Sequence, residues 1–473
     1  MARAARACPD HAGQPVFPGT DDSVCGNPHP HRGQRRSFQK PAGAVGGVAP
    51  DCPGDGHGFR RWDVKGDTID RRSPSDTRWS LEASVGRMYG RGWLLLLVGL
   101  VLAACGPGPQ TVNPDTYPYA GELRIGYAGP LSGSQAAVGI DLWHGAELAA
   151  LHYNRQGGVL GRKVVIVPLD DQADSEVAVE VARRFVEMGV AAVVGHYSSG
   201  ATLPASRIYA EAGILEVTTM ASNPAISQQG IRTFFRVCPV DSVQGPVDAE
   251  FAVNTLGKKR IAIVYIGGDT YSEGLREEFA RRAQELGATV IAAYPYVDGT
   301  VDFTPIVEQL RAQPPELVFF SGYYPGGDIL LRQMYEAGLS HITFLSGDGS
   351  FEYGFLREAG KAAEGAYVSS LFPDVLALPA MKAWVEEFRT LYRYQPGINS
   401  PAGYAALQVI LEGMRAAGTT DAEKVAEAIR NMTIETPYGP LRYDEKGDLI
   451  EQRIPIFVVR EGKFVEWVPE GND

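Results

Sequence analysis

The sequence predicts an α/β protein made of two doubly wound lobes with parallel sheets. Three observations carry that reading. From residue 121 onward, short runs of apolar and β-branched residues alternate with stretches of helical apolar spacing. The strand-like runs are continuously apolar, the pattern of strands covered on both faces. The alternation breaks after residue 218 and resumes at residue 260, so there are two series, and two series mean two lobes.

The first series opens with a strand at Leu123–Tyr127, followed by the Gly- and Ser-rich turn 129–134. Helical spacing over Asp141–Asn154 is stopped by Gly157 and Gly158. A strand at Lys163–Leu169, a helix at Ser175–Met188 and a strand at Ala191–Gly195 follow, then a helix at Ser206–Ala212 and a strand at Leu215–Thr218. The second series begins with a strand at Arg260–Tyr265, a helix at Ser272–Leu286 and a strand at Thr289–Tyr294. A helix at Val307–Ala312, a strand at Leu317–Ser321, a helix at Asp328–Ala337 and a strand at Thr343–Ser346 complete it.

Ligands of such sheets bind beyond the carboxyl ends of the strands, so the turns there hold the chemistry. In the first series those turns read His196-Tyr197-Ser198-Ser199-Gly200 and Thr219-Met220-Ala221-Ser222-Asn223, rich in hydroxyls and opening the next helix. Hydroxyls and free amides at a helix start receive carboxylates or phosphates. In the second series Tyr271, Tyr323 and Asp348 follow strands. One lobe thus offers hydroxyls and amides, the other aromatics and a carboxylate, a pairing that suits a ligand with a carboxylate, an ammonium and an apolar body. Plainer readings stay open: Ser199 and Ser222 also fit helix caps, Tyr271 and Tyr323 fit lobe-contact aromatics, and Asp348 before Gly349 fits a turn. His196 reads as a structural histidine. The coincidence of such residues at five strand ends favours a site.

Composition narrows the function classes. Lys and Arg total 44 against 56 Asp and Glu, a net charge of −12. The Arg-rich first 87 residues mask a still more acidic remainder, which argues against nucleic acid as a partner. Of the five Cys, only Cys105 and Cys238 lie beyond residue 87, so no disulfide framework is expected. No nucleotide-binding glycine loop, HExxH or GxSxG motif marks an enzyme. Neither a cofactor nor a metal is expected.

The run Leu94–Cys105 is about a dozen residues of almost unbroken apolar sequence. It is too short for a spanning helix, which needs roughly 20 residues, but it fits the core of an export signal. Met88 and Arg91 precede it, and its end, Leu102-Ala103-Ala104-Cys105, resembles the lipobox of bacterial lipoproteins. The expected division is therefore an N-terminal extension over 1–87, either a wrongly assigned start or a disordered segment. A signal peptide over 88–104 follows, lipidation falls at Cys105, and a Pro- and Gly-rich tether covers 105–120.

The segments GGVLGRKV (157–164), VVGHYSSGATLPAS (193–206), GILEVTTMASNPAIS (213–227), DSVQGP (241–246), YAALQ (404–408) and YGPLRYDEKGDL (438–449) resemble the Leu/Ile/Val-binding proteins of ABC transporters. The resemblance implies a type I periplasmic-binding-protein fold, two Rossmann-like lobes joined by a three-strand hinge crossing near Asp241, Leu371 and Gln452. The lobes would be 121–240 plus 372–452 and 241–371 plus 453–473. It further implies that Ser199 and Ser222, with neighbouring backbone amides, hold the ligand's α-carboxylate, and Ser198 is counted among the ligand-binding residues. Asp348 would pair with the α-ammonium while Tyr271 and Tyr323 line the cleft. Asp348 stands where the family often has Glu, Val138 where an aromatic is common, and Met220 replaces a smaller residue. These departures bear on the ligand's side chain. The implied protein is a monomer outside the cytoplasm, anchored to the membrane through Cys105, that passes an aliphatic amino acid to an ABC permease. The same scaffold also serves amides, urea, short peptides and aromatic acids, or a sensing role.

Overall fold

The computed structural model describes residues 111–469. The extension 1–87, the export run, Cys105 and the start of the tether lie outside the described residues. The first sheet is built from β1 (Glu122–Gly129), β2 (Lys163–Asp170), β3 (Ala192–Val194), β4 (Leu215–Thr218) and β5 (Phe234–Arg236). Its order is β2-β1-β3-β4-β5, and every pairing is parallel. Between these strands run α1 (Ala136–Arg155), α2 (Ser175–Met188), α3 (Ser199–Glu211) and the single turn α4 (Pro224–Ser227).

The second sheet starts after α5 (Asp241–Glu250), which ends in a π-helical turn over Phe251–Thr255. Its parallel part comprises β6 (Arg260–Ile266), β7 (Thr289–Tyr296), β8 (Leu317–Ser321), β9 (Thr343–Ser346) and β10 (Tyr367–Ser369). The helices here are α6 (Thr270–Glu285), α7 (Thr304–Ala312), α8 (Gly326–Glu336) and α9 (Tyr353–Ala359). The parallel strands lie in the order β7-β6-β8-β9-β10. Counted within each lobe, both sheets therefore repeat the order 2-1-3-4-5. In each, the crevice at the reversal of strand order lies between the first and third strands.

The chain then returns to the first lobe through α10 (Lys382–Tyr392), α11 (Ser400–Ala417) and α12 (Ala422–Arg430), with the small pair β11 (Ile434–Thr436) and β12 (Gly439–Leu441). It ends with β13 (Ile456–Arg460) and β14 (Lys463–Glu466), which add to the second sheet as antiparallel strands. The purely parallel expectation missed this hairpin. Three stretches of chain, around 237–240, 370–373 and 450–455, pass between the two sheets. They are tied to one another: the Val240 amide donates to the Gln452 side chain (2.9 Å), and the Ser370 amide to the Pro455 carbonyl (2.9 Å).

Two helices start earlier than apolar spacing predicts. α1 begins at Ala136 rather than Asp141, and α3 at Ser199 rather than Ser206. The first turn of α3 carries Ser, Gly, Ala and Thr, which give no apolar stripe to read. α1 and α11 pack backbone to backbone. A Cβ on Gly403 would lie 1.9 Å from the Leu142 carbonyl oxygen, and one on Gly145 2.0 Å from that of Ser400, so only glycine admits this contact. In the second lobe, Phe279 of α6 stacks on Phe319 of β8 at 3.7 Å and fixes the helix on its sheet.

Candidate functional site

The helices that start at the strand ends are capped from side chains, and the caps differ in charge. Asp174 accepts from the Glu176 and Val177 amides at the start of α2, and Asp269 from the Ser272 amide (2.7 Å) at the start of α6. α3 is capped by Ser198, which accepts from the Ala201 amide at 3.3 Å. A neutral cap leaves the partial positive charge of that helix start uncompensated, and Ser199 occupies its first turn.

Residues from the carboxyl ends of both sheets meet in one place. Tyr197, Ser198, Ser199 and Met220 of the first lobe and Tyr271, Tyr323 and Asp348 of the second line a cavity of about 10 Å³. That is small against the roughly 300–1,000 Å³ of pockets for drug-sized ligands. Hydrogen bonds cross between the lobes around it. Asn223 Nδ2 donates to the Thr270 carbonyl (2.8 Å), Ser134 Oγ to Asp298 (2.9 Å), Gln135 Nε2 to the Tyr324 carbonyl (3.1 Å) and Asn399 Nδ2 to Glu352 (2.6 Å). The lobes stand closed.

The anionic wall is assembled around Asp348, at the end of β9. Its carboxylate accepts from the Tyr271 hydroxyl at 2.7 Å, and that hydroxyl accepts from the Gly349 amide at 3.2 Å. Burial pushes Asp348 up to about 6, while hydrogen bonds from Tyr271 and Gln244 oppose the rise. Behind it lies a second buried carboxylate, Asp241, pushed up to about 8 by burial and by the charge of Asp348, against the opposing effect of the Ser222 hydroxyl. Asp241, Gln244 and Asp248 sit on α5 at helical spacing, all fully buried. Gln244 donates to Ser369 (3.0 Å), which donates in turn to Asp248 (3.0 Å). Burial raises Asp248 well above the carboxylate range. No salt bridge reaches Asp348, Asp241 or Asp248 among the described residues. A cation brought into this pocket finds acceptors already desolvated.

On the opposite wall, Ser199 Oγ accepts from the Asn223 amide at 3.2 Å and retains its own hydrogen to donate. The aromatic side is a row of tyrosines, with Tyr271 stacked on Tyr323 at 5.0 Å and Tyr197 tilted against Tyr323 at 6.0 Å.

The structure thus brings together six residues singled out from sequence: Ser198, Ser199, Met220, Tyr271, Tyr323 and Asp348. It does not bring Ser222 and Val138 to the cavity wall. Ser222 is fully enclosed beside Asp241, and its hydroxyl has no hydrogen-bond partner. Val138 belongs to the early first turn of α1 and is packed into the core of the first lobe. Sequence reasoning passed over Tyr197, one residue before the serines in the same turn. It also passed over Asp241 and Gln244, whose spacing on α5 was the available signal.

His196 is the structural histidine expected. It is fully buried, with Nδ1 2.7 Å from Asp171 and Nε2 2.9 Å from the Tyr209 hydroxyl. Both ring nitrogens are engaged, which leaves neither to act as a base on Ser198.

Residues 122–463 match the family model described as periplasmic binding protein. An amino acid binding protein of Pseudomonas aeruginosa is 35% identical over 342 residues, covering 72% of this chain and 90% of the relative. A leucine-, isoleucine-, valine-, threonine- and alanine-binding protein of the same organism is 36% identical over 330 residues, 70% of this chain and 88% of its own. Among solved structures, a leucine-binding protein of Thermotoga maritima aligns with a TM-score of 0.67 at 28% identity, covering 73% of this chain and 98% of its own.

Proposed function

This chain belongs to the periplasmic binding protein family, and from that premise we propose that it captures a zwitterionic α-amino acid between its lobes and delivers it to an ABC permease. The observation that carries the reading is the opposition of walls in one cavity: Ser199 at a neutrally capped helix start faces Asp348 and the carboxylate behind it. In this reading the Ser199 hydroxyl and the first-turn amides of α3 receive the α-carboxylate, with Ser198 beside them. Asp348, backed by Asp241, receives the ammonium. Ser222 stands behind the cavity beside Asp241 and takes no direct hold of the ligand. Met220, Tyr197, Tyr271 and Tyr323 enclose an apolar side chain, and the deformable Met220 suits aliphatic branches of differing shape. Val138 takes no direct part.

Ligand contacts drawn from both lobes exist only in the closed form, so binding stabilises closure. The hinge is the three strands between the sheets, with 121–240 plus 372–452 as one lobe and 241–371 plus 453–473 as the other. The task is binding and not catalysis, in line with the engaged nitrogens of His196. Lipidation at Cys105 and the tether 105–120 would hold the protein, as a monomer outside the cytoplasm, beside its permease. An aromatic acid would use the same serine wall but set an apolar ring against Asp348 and leave that carboxylate unpaired. The zwitterion is therefore favoured.

Calorimetric titration of the purified protein with the twenty amino acids tests this. Leucine, isoleucine or valine is expected to bind with micromolar affinity or better, about 8 kcal/mol or more. Affinities no tighter than millimolar for all twenty would overturn the reading.

A further inference from the structure

Beside the ligand cavity lies a second, larger space between the lobes, about 340 Å³, open to the outside. Ser198 of the first lobe and Tyr323 of the second line both spaces and form the seam between them. The chemistry of the second space is one-sided. Asp174, Asp269 and Asp298 line it together with Gln135 and Gln172, and no Lys, Arg or His is among its lining residues.

Each of the three carboxylates has a structural duty that accounts for only one oxygen. Asp174 caps α2 through Oδ1, Asp269 caps α6 through Oδ1, and Asp298 accepts the Ser134 hydroxyl on Oδ2. The other oxygen of Asp269 lies near Gly200. A Cβ built on Gly200 would stand 4.0 Å from Asp269 Oδ2. Burial, together with the charges of Asp298 and Glu273, pushes Asp269 up to about 6, the behaviour of a carboxylate without a cation to offset it.

An independent observation comes from Tyr323. Its side chain is more than nine-tenths buried, yet its hydroxyl has no hydrogen-bond partner. After burial, the charge that acts on it most strongly is that of Asp269. A buried hydroxyl left unpaired costs about 1–3 kcal/mol, and capping explains neither this orphan nor the missing cation.

We propose that the second space is a side-chain subsite that receives the cationic end of a long basic amino acid, such as lysine, ornithine or arginine. The inference rests on the α-amino-acid reading above. With the α-carboxylate on Ser199 and the α-ammonium on Asp348, a branched aliphatic side chain ends within the small cavity. A straight chain that crosses the Ser198–Tyr323 seam places its terminal cation among Asp269, Asp298 and the Tyr323 hydroxyl. Because the seam joins residues of opposite lobes, such a chain enters with the lobes apart and is enclosed as they close.

Calorimetric titration of the purified protein with leucine, norleucine and lysine provides the test. Norleucine has the carbon chain of lysine without the terminal ammonium, so the pair isolates the cation. Lysine is expected to bind at least tenfold tighter than norleucine. In Asp269→Asn the lysine-to-norleucine ratio should fall below about threefold, because Asn caps a helix as well as Asp but carries no charge. Comparable melting temperatures of the two forms establish that α6 is intact. Leucine binding with lysine no tighter than norleucine overturns the subsite and leaves the amino-acid reading standing. A ratio that survives Asp269→Asn also overturns it. Failure of all three ligands to bind overturns both.

Discussion

In the first lobe the residues facing the cavity are short and uncharged, Ser198, Ser199 and Met220, apart from Tyr197. In the second they are Tyr271, Tyr323 and Asp348. Both sets leave the carboxyl ends of sheets with the same strand order, so topology does not account for the contrast. The helix caps do much to explain it. α3 begins behind a serine and keeps its receptive, partly positive start, whereas α6 begins behind Asp269, whose carboxylate neutralises its own helix. A choice of one capping residue thus sets which pole of a zwitterion each lobe can hold, and the fold supplies the opposition.

Replacing Asp348 by Asn should break that opposition most severely. The ammonium would lose its charged partner in a buried site, at a cost of about 3–5 kcal/mol in amino-acid affinity, read by calorimetry. An affinity within threefold of the parent would move the ammonium anchor elsewhere. The same contact has a pH signature. Asp348 holds its proton up to about pH 6 and must release it to pair with an ammonium, so affinity should weaken as pH falls below about 6 and level off above it. A flat profile between pH 5 and 7 would contradict this.

On the other wall the expected loss is smaller. Ser199→Ala removes one hydrogen bond to a charged group, worth about 1.5–3 kcal/mol, while the first-turn amides of α3 remain. An Asp348→Asn, Ser199→Ala double mutant should lose roughly the sum, because the two residues hold opposite ends of the ligand. Strong non-additivity would mean that the walls act as a unit.

The smallest effect concerns stability without ligand. A carboxylate whose folded pKa is raised binds more protons folded than unfolded, so stability falls as pH rises between its unfolded and folded values. For Asp241 that window runs from the ordinary carboxylate range to about 8. Asp241→Asn should therefore flatten the fall in melting temperature between pH 5 and pH 8 by a few degrees, given about 2–4 °C per kcal/mol for a protein of this class. An unchanged slope would show that Asp241 is solvated.

Much of this was legible in the sequence, for identifiable reasons. The continuous apolar runs of β3, β6 and β8 follow directly from strands buried on both faces. Ser199 and Asp348 stand one turn beyond strands, where a doubly wound sheet exposes its loops. What escaped depended on contacts distant in the chain. The antiparallel β13–β14 hairpin joins its sheet only after the chain has visited the other lobe, and no local pattern announces that. Val138 was assigned to the side-chain pocket by resemblance alone, whereas its place in the first turn of α1 packs it into the core. Asp241 belongs with Asp348 only through the packing of α5 behind the cleft, across more than a hundred residues.

Asn223 and Gly274 carry a practical consequence. The Asn223 amide is held at both ends, its oxygen by the Ala225 amide and its nitrogen by the Thr270 carbonyl of the opposite lobe. A Cβ on Gly274 would stand 2.3 Å from that nitrogen. One added methyl group at residue 274 would therefore act as a wedge in the jaws, pressing on Asn223 and coming no nearer than 3.4 Å to Asp241 behind the ligand cavity. It offers a handle for separating how tightly the protein grips its cargo from how far it can shut, and so for presenting the open shape to a transporter on demand.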